Sequence, residues 1–488
     1  MSQPSADHSK QRDLGFMLLV AITSLAPRLF VALAWAREPV WDGHYYDFGA
    51  RRIAAGLGYS DDVIVAGVAR WHPWCHYPVG YSGFLAGVYK LFGDGPHAAT
   101  VANAILGAAV VALTHQIALQ MMSKWRARAA AILCALHPAL ILYSALVMTE
   151  LLSAFLPMFA LWLALRDRDK HPWRGAALSG LAMGLATLVS PQAIVLAPAI
   201  GLALVPSAPW KQAWLNVLKR GAVVTAVAFA VVTPWTLRNC KVMDGCAFVS
   251  TNGGWNLAIG SFARATGRFE TLRASDGCEV VTGQVQQDRC WAQHGWASIR
   301  KDPVRWLGLA PKKLDQSFNH ESFAVEYLKT GDPAAWPEER RTWWRERLST
   351  FHRLLLSAAA FGFLGVVSRK RMRELLAGDR QRTVMVGMSV EAALWLATIA
   401  LVAYGWHDDQ FPFWPLALWL PIVILVPRPQ APRPGAVGLF IAWAVLSFDI
   451  VHVVFFGEDR YHIPLSPLLC ILVASIGRSA SEGVCPEA

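Results

Sequence analysis

Long apolar stretches alternate with short polar ones along most of this chain. They fall near 14–36, 98–122, 129–147, 148–165, 175–190, 192–208, 217–237, 351–367, 383–404, 411–427, 435–456 and 461–477. Several are close to the lower limit of about 17 residues for a helix that crosses the hydrocarbon core. Inside a bilayer each backbone N–H and C=O must find its partner within the protein, which favours helices. The pattern therefore predicts an all-α polytopic membrane protein with about 11–13 transmembrane helices. Two long polar interruptions, 37–97 and 238–350, divide it. The expected parts are an N-terminal transmembrane half over 1–237 that includes the first loop, a large loop over 238–350, and C-terminal helices over 351–488. The first dozen residues are polar, with Lys10 and Arg12 before the first apolar run. That run lacks a small-residue cleavage site and reads as an uncleaved first helix.

Charge supplies an orientation. Only 16% of the 488 residues are charged, against 55% hydrophobic, whereas a soluble domain carries roughly 25% charged residues. The net charge of +11 does not point to nucleic acid, because Lys and Arg lie in short loops and not on one basic face. With the N-terminus in the cytoplasm, one set of short loops collects Lys124, Arg126, Arg128, Arg166, Arg168, Lys170, Arg174, Lys211, Lys219 and Arg220. The same set holds Arg369, Lys370, Arg371, Arg373, Arg380, Arg382, Arg428, Arg433 and Arg478. The opposite short loops hold almost no Lys or Arg until Arg460. This positive-inside pattern implies an inner (cytoplasmic) membrane protein with both termini cytoplasmic and loops 37–97 and 238–350 outside. The 22 Trp residues fit membrane interfaces. Five of the eight cysteines, Cys75, Cys240, Cys246, Cys278 and Cys290, fall in the two outer loops. Cys240 with Cys246 and Cys278 with Cys290 are candidate disulfides in an oxidising compartment, with free thiols as the alternative.

Candidate chemistry gathers at the outer ends. Trp41-Asp42-Gly43-His44-Tyr45-Tyr46-Asp47 puts two carboxylates among His and Tyr just after the first span, a group able to take a proton from an acceptor. Residues 48–59 read as a short amphipathic helix stopped by Gly56 and Gly58. In Trp71 to Pro78, Pro73 and Pro78 keep His72 and His76 off a common helix face, so aromatic packing outweighs a metal pair. Glu150, in an apolar stretch, is either functional or a helix N-terminal acid facing the dipole. Ser250 to Gly260 combines glycine pairs with Asn252 and Asn256. It reads as a loop with exposed N–H groups for an anion or sugar, or as an ordinary turn. Phe456 to Pro464 packs Glu458, Asp459 and Arg460 into a short outer loop. Arg460 is the first candidate for a phosphate clamp, with an internal pair to Glu458 or Asp459 as the plainer reading. Arg28, inside the first span, either snorkels outward or faces a polar cavity.

Several segments together resemble a known family. Asp42 with Tyr45, Tyr46 and Ala55-Gly56-Leu57-Gly58-Tyr59 resembles the first-loop signature of bacterial glycosyltransferases related to the protein O-mannosyltransferases and to the aminoarabinose transferase of lipid A. Tyr77-Pro78-Val79-Gly80-Tyr81 through Gly93, His137-Pro138 through Leu151, and Pro234-Trp235 through Asn239 are similar to further segments of that family. So are Ser250 through Gly260, Ala265-Thr266-Gly267, Asp302-Pro303 through Lys313, and Phe456 through Pro464, all in order over nearly the whole chain. Two departures stand out: Ser190-Pro191 where the family often has Arg-Pro, and Gly43 after Asp42 where it frequently has Glu or Ala.

The resemblance implies the GT-C membrane fold and transfer of a sugar, with inversion, from a polyprenyl-phosphate donor to a protein, lipid or envelope-glycan acceptor at the outer face. It implies Asp42 as general base or acceptor-orienting carboxylate, with Asp47 and Glu150 as further acids. Arg460, then Arg238 and Lys313, would hold the phosphate. His44, Tyr45, Tyr46, His76, Tyr81, Asn252, Asn256 and Tyr461 would line the substrate site. No nucleotide fingerprint is present, as expected for a lipid-phosphate donor. A divalent cation shared by Asp42, Glu150 and a His stays open. The rival reading is a lipid or glycan transporter or flippase without bond cleavage, which would carry charges or Gly/Pro breaks deep in matching halves.

Overall fold

The computed structural model describes residues 6–205, 210–279, 283–365, 381–407, 413–428 and 434–478. Each predicted apolar stretch overlaps helix there. The N-terminal part runs α1 (Ala6–Ala34), α2 (Asp42–Ala54), a hairpin of β1 (Ser60–Val65) and β2 (Val68–Pro73), α3 (Val79–Phe92) and α4 (Pro96–Ala118). Next come α5 (Lys124–Ala135), α6 (Pro138–Leu142), α7 (Glu150–Asp167), α8 (Pro172–Val189), α9 (Ile200–Ala203) and α10 (Trp210–Val242). The large loop carries α11 (Gly253–Ile259), α12 (Gln284–Lys301), α13 (Pro303–Gly308), α14 (Ala310–Phe318) and α15 (Phe323–Gly331). The chain then continues through α16 (Glu338–Ala360), α17 (Gln381–His407), α18 (Trp414–Leu425) and α19 (Gly435–Val454) to a 3-10 turn (Asp459–Leu465) and α20 (Ser466–Ala474).

Five described helices are each long and apolar enough to cross a membrane: α1, α4, α10, α17 and α19. The α5 and α6 segments, bent by 53°, make a sixth if counted as one span. Other expected spans are shorter or interrupted. α7 and α8 have 18 residues each, α7 with Pro157 inside, and α18 has 12. These breaks are tolerated where neighbouring helices cover the freed backbone groups.

The bend between α5 and α6 shows how. Pro138 has no N–H to offer the carbonyl four residues back, Cys134. Arg28, fully buried on α1, supplies the missing donor. Its Nη2 donates to the Cys134 carbonyl at 3.2 Å and its Nη1 to the Ala135 carbonyl at 3.0 Å. Arg28 thus neither snorkels nor lines a cavity.

The ends that the charge pattern assigned to one face meet in space. Asp13 pairs with Lys124 (2.5 Å) and Arg128 (2.9 Å), Arg126 donates to the Ala474 and Ile476 carbonyls, and Arg478 donates to the Met121 carbonyl (2.6 Å). Arg369, Lys370, Arg371, Arg373, Arg380 and Arg433 lie outside the described residues.

Sequence reasoning missed the hairpin, although Ala66 and Gly67, both at positive φ, supply a two-residue turn between the Val63-Ile64-Val65 run and Val68. It also started the first-loop helix too late. The helix begins at Asp42, where an acidic side chain meets the positive end of the helix dipole. Disulfides join Cys240 to Cys246 and Cys278 to Cys290; Cys75 is buried as a free thiol.

Candidate active site

Asp42 opens α2, and its carboxylate is held from two directions. Tyr77 donates its hydroxyl to Oδ1 at 2.8 Å, and Arg460 Nη1 donates to Oδ2 at 2.7 Å. The second contact joins residues 418 apart in sequence. Arg460 Nε donates to Glu458 at 2.6 Å, and the guanidinium lies 4.6 Å from the centre of the Phe323 ring and 5.1 Å from that of Tyr461. Both partners of the central pair are largely enclosed, with side chains 13% and 22% exposed for Arg460 and Asp42. Burial opposes the guanidinium's charge, but Glu458 and Asp42 outweigh it and hold Arg460 more firmly protonated than usual. Burial raises the Glu458 carboxyl above its usual range.

Close backbone packing carries the last outer loop to this point. Gly457 donates its N–H to the Gly267 carbonyl at 2.9 Å, and a side chain at Gly457 would run into the Lys313 carbonyl. The Asp459 carboxylate accepts the N–H of Phe323 at 2.8 Å and that of Ser322, so it caps α15 from outside the helix. Glu150, at the start of α7, is buried. It lies within electrostatic reach of Arg460, Asp42 and Glu458, and its Oε2 has no hydrogen-bond partner.

Aromatic rings surround Tyr77. Tyr45 stacks on it with centroids 5.2 Å apart, Trp74 lies at 5.8 Å, and Tyr46 and His76 meet it edge-on at 5.5 and 5.1 Å. His76 also meets Trp255, and burial lowers its pKa. Tyr461 stacks on His452 beneath Arg460.

Several expected site residues do not join this group. Asp47 points to Arg51 (2.7 Å) and Tyr89 (2.5 Å), tying α2 to α3. Arg238 donates to the carbonyls of Tyr59 (2.7 Å) and Trp74 (3.1 Å), anchoring the large loop on the first. Lys313 is fully buried and donates to the Val453 carbonyl at 2.8 Å, capping α19. Tyr81 is buried against Asn103, with which it exchanges hydrogen bonds. Asn252 accepts the Ser250 hydroxyl within its own turn, and His44 is exposed on the side facing Phe48. Asn256 lies half-buried on α11, its N–H bonded to the Asn252 carbonyl. Tyr77 and Glu458 were overlooked as site residues. Tyr77 precedes a proline, which holds it extended, and Glu458 was weighed only as a rival partner for Arg460.

Two predictions arise here. A Cβ at Gly43 would collide with the Tyr327 hydroxyl and lie 2.8 Å from the Val147 carbonyl. Gly43→Ala is therefore expected to cost about 1–3 kcal/mol by overpacking, seen as a lower Tm. Adding Tyr327→Phe should restore part of it; no recovery would sink the steric account. Burial lowers the Lys313 pKa to about 7, with Arg305 adding to the effect. An unfolded Lys titrates near 10.4, so between about pH 7 and 10 the folded chain binds fewer protons and stability rises with pH. Lys313→Met should flatten that rise in melting curves taken across the window.

Residues 76–237 match the family described as dolichyl-phosphate-mannose-protein mannosyltransferase. The matched stretch, about a third of the chain, runs from His76 through Glu150 to α10. Over those residues the match agrees with the resemblance read from the sequence. Among solved structures, the chain is similar to the archaeal oligosaccharyltransferase AglB from Archaeoglobus fulgidus in complex with an inhibitory peptide and a dolichol-phosphate. The TM-score is 0.44 and the identity 13%, covering 96% of this chain and 50% of that one. It is also similar to ArnT from Cupriavidus metallidurans bound to undecaprenyl phosphate, with TM-score 0.39, 15% identity, and coverage of 90% and 78%. The chain thus spans about half the length of the first of these. No curated protein matches its sequence.

Proposed function

We propose that this chain is an integral membrane glycosyltransferase that moves a sugar from a polyprenyl-phosphate donor to a protein, lipid or envelope-glycan acceptor, with inversion. The observation that carries the reading is the Asp42–Arg460 pair, which joins a carboxylate base to a guanidinium across the first and last outer loops. The matched family's description, which names a lipid-phosphate-linked sugar, supports it. We place the site outside the inner (cytoplasmic) membrane, with both termini in the cytoplasm, as the positive-inside pattern requires.

In this reading the donor's lipid chain stays in the bilayer and its phosphate reaches Arg460. The acceptor hydroxyl or amine attacks the anomeric carbon from the face opposite the phosphate. A bond forms from acceptor to carbon, the carbon–oxygen bond to phosphate breaks, and its electron pair leaves with the polyprenyl phosphate. The acceptor proton passes to Asp42, and Glu150 serves as a second acid. Positive charge at Arg460 matters most as negative charge builds on the leaving oxygen. Because Arg460 already neutralises Asp42, the phosphate competes for the guanidinium, and its arrival frees the carboxylate to act as base. No nucleotide enters this scheme, and Arg460 takes the charge-balancing role that a cation on Asp42 would otherwise fill.

The test is direct. Purified protein is mixed with a radiolabelled polyprenyl-phosphate sugar and candidate acceptors, and release of polyprenyl phosphate is followed. Transfer supports the reading. Movement of intact donor across sealed vesicles without cleavage would replace it with the transporter reading.

A further inference from the structure

Behind Arg460 lies a second polar cluster that the transfer chemistry does not use. Glu321, His352 and His462 are buried, at 5%, 0% and 0% exposure. They come from three separate parts of the chain: the segment before α15, the helix α16, and the last outer loop. The ligand atoms of all three lie within 4.8 Å of one another.

Hydrogen bonding fixes the state of one ring. His462 Nδ1 lies 2.6 Å from the Ser317 carbonyl. A carbonyl only accepts, so Nδ1 carries the proton. In a neutral ring Nε2 then presents a lone pair, and it faces Glu321 Oε1 at 3.1 Å. Two acceptors pointing at each other need a positive centre between them. His352 sharpens the case. Its Nδ1 lies 3.7 Å from the same Glu321 oxygen, too far for a hydrogen bond between them. The two rings stack with centroids 3.8 Å apart, which brings one nitrogen of each to the carboxylate edge.

A shared proton would satisfy the His462–Glu321 contact and leave the longer His352–Glu321 contact unmade. A divalent ion satisfies all three groups. Zinc binds imidazole at about 2.0–2.1 Å and carboxylate at about 2.0–2.2 Å in tetrahedral sites, which puts donor atoms about 3.3–3.5 Å apart. The two shorter separations straddle that value. The Ser317 carbonyl on His462 is the outer partner that metal-bound histidines usually have. A second carboxylate, Asp459, lies within electrostatic reach of Glu321 and would balance the ion's charge.

We propose that Glu321, His352 and His462 form a structural zinc site that clamps the last outer loop to α16 and to the start of α15. The clamp sits directly under the candidate active site. His462 is two residues beyond Arg460, and Glu321 is two residues before Phe323, whose ring backs the guanidinium. The site stands apart from the transfer reading, because its readout is metal content and stability, not turnover.

The test uses the full chain in detergent, stripped with a chelator and titrated with zinc. The expected result is about one zinc per chain and a rise of several degrees in Tm. His352→Ala removes one of the three ligands and should abolish both effects. Glu321→Gln should weaken zinc binding at least tenfold. Equal zinc content in wild type and His352→Ala, or no zinc-dependent rise in the wild-type Tm, overturns the proposal. Should His352→Ala fail to fold, cobalt titration of the wild type decides. Intense visible bands of four-coordinate cobalt support the site, and the weak bands of a six-coordinate ion overturn it.

Discussion

Asp42→Asn is expected to lower sugar transfer by about 10²–10⁴-fold, the usual share of a positioned general base. The amide is the same size, and its oxygen can still accept from Tyr77 or from Arg460. Tm should therefore change little, and donor binding should persist. What disappears is an atom able to take the acceptor's proton. The decisive comparison is kcat against donor KM. A fall confined to kcat supports the base role. Near-normal turnover removes Asp42 from the chemistry and with it the reading of the first outer loop.

Arg460 should show the second large effect, in two different ways. Arg460→Lys keeps a charge but loses the planar fork that reaches Asp42 and Glu458 together. Transfer is expected to drop by about 10²-fold or more, the scale seen when one donor to a developing oxyanion is removed. Arg460→Ala should also be unstable. It leaves two largely enclosed carboxylates without their cation, and breaking a buried pair costs about 3–5 kcal/mol. Because Asp42 and Arg460 touch, their losses should not add. The double variant Asp42→Asn/Arg460→Lys should be little slower than the worse single one. Additive losses would mean that the two side chains act independently and that the 2.7 Å contact has no part in the mechanism.

The sequence revealed much of the architecture, because bilayer burial writes a strong signal. Long apolar stretches marked the longest helices among the described residues, and some of the loop charges assigned to one face meet there, as Asp13, Lys124 and Arg128 do. The site was legible only in part. Glu150 stood out because charge in apolar surroundings is costly, Asp42 because two carboxylates sit among His and Tyr just after a span, and Arg460 as the basic residue of the short outer loops. Arg238 and Lys313 came forward only through the family resemblance, and both are taken up by backbone carbonyls. Sequence shows that a buried cation needs partners, but not whether those partners are carbonyls or a ligand. Asp47 failed similarly, since Arg51 one helical turn on and Tyr89 on the next helix claim it. Gly43, a departure from the family pattern, became intelligible only with Tyr327 in place, nearly 300 residues downstream. Contacts of that range leave no local trace in a single chain.

The seating of residues 455–465 against the large loop has a consequence for how this protein comes into being. Ribosomes deliver that segment only after the first loop and the entire 238–350 region have already emerged. Until it arrives, Asp42 has no guanidinium and α15 lacks the carboxylate that caps its first turn. A nascent or truncated chain that lacks this segment therefore holds the carboxylate of the central pair without its guanidinium, so the first loop alone cannot assemble the candidate centre.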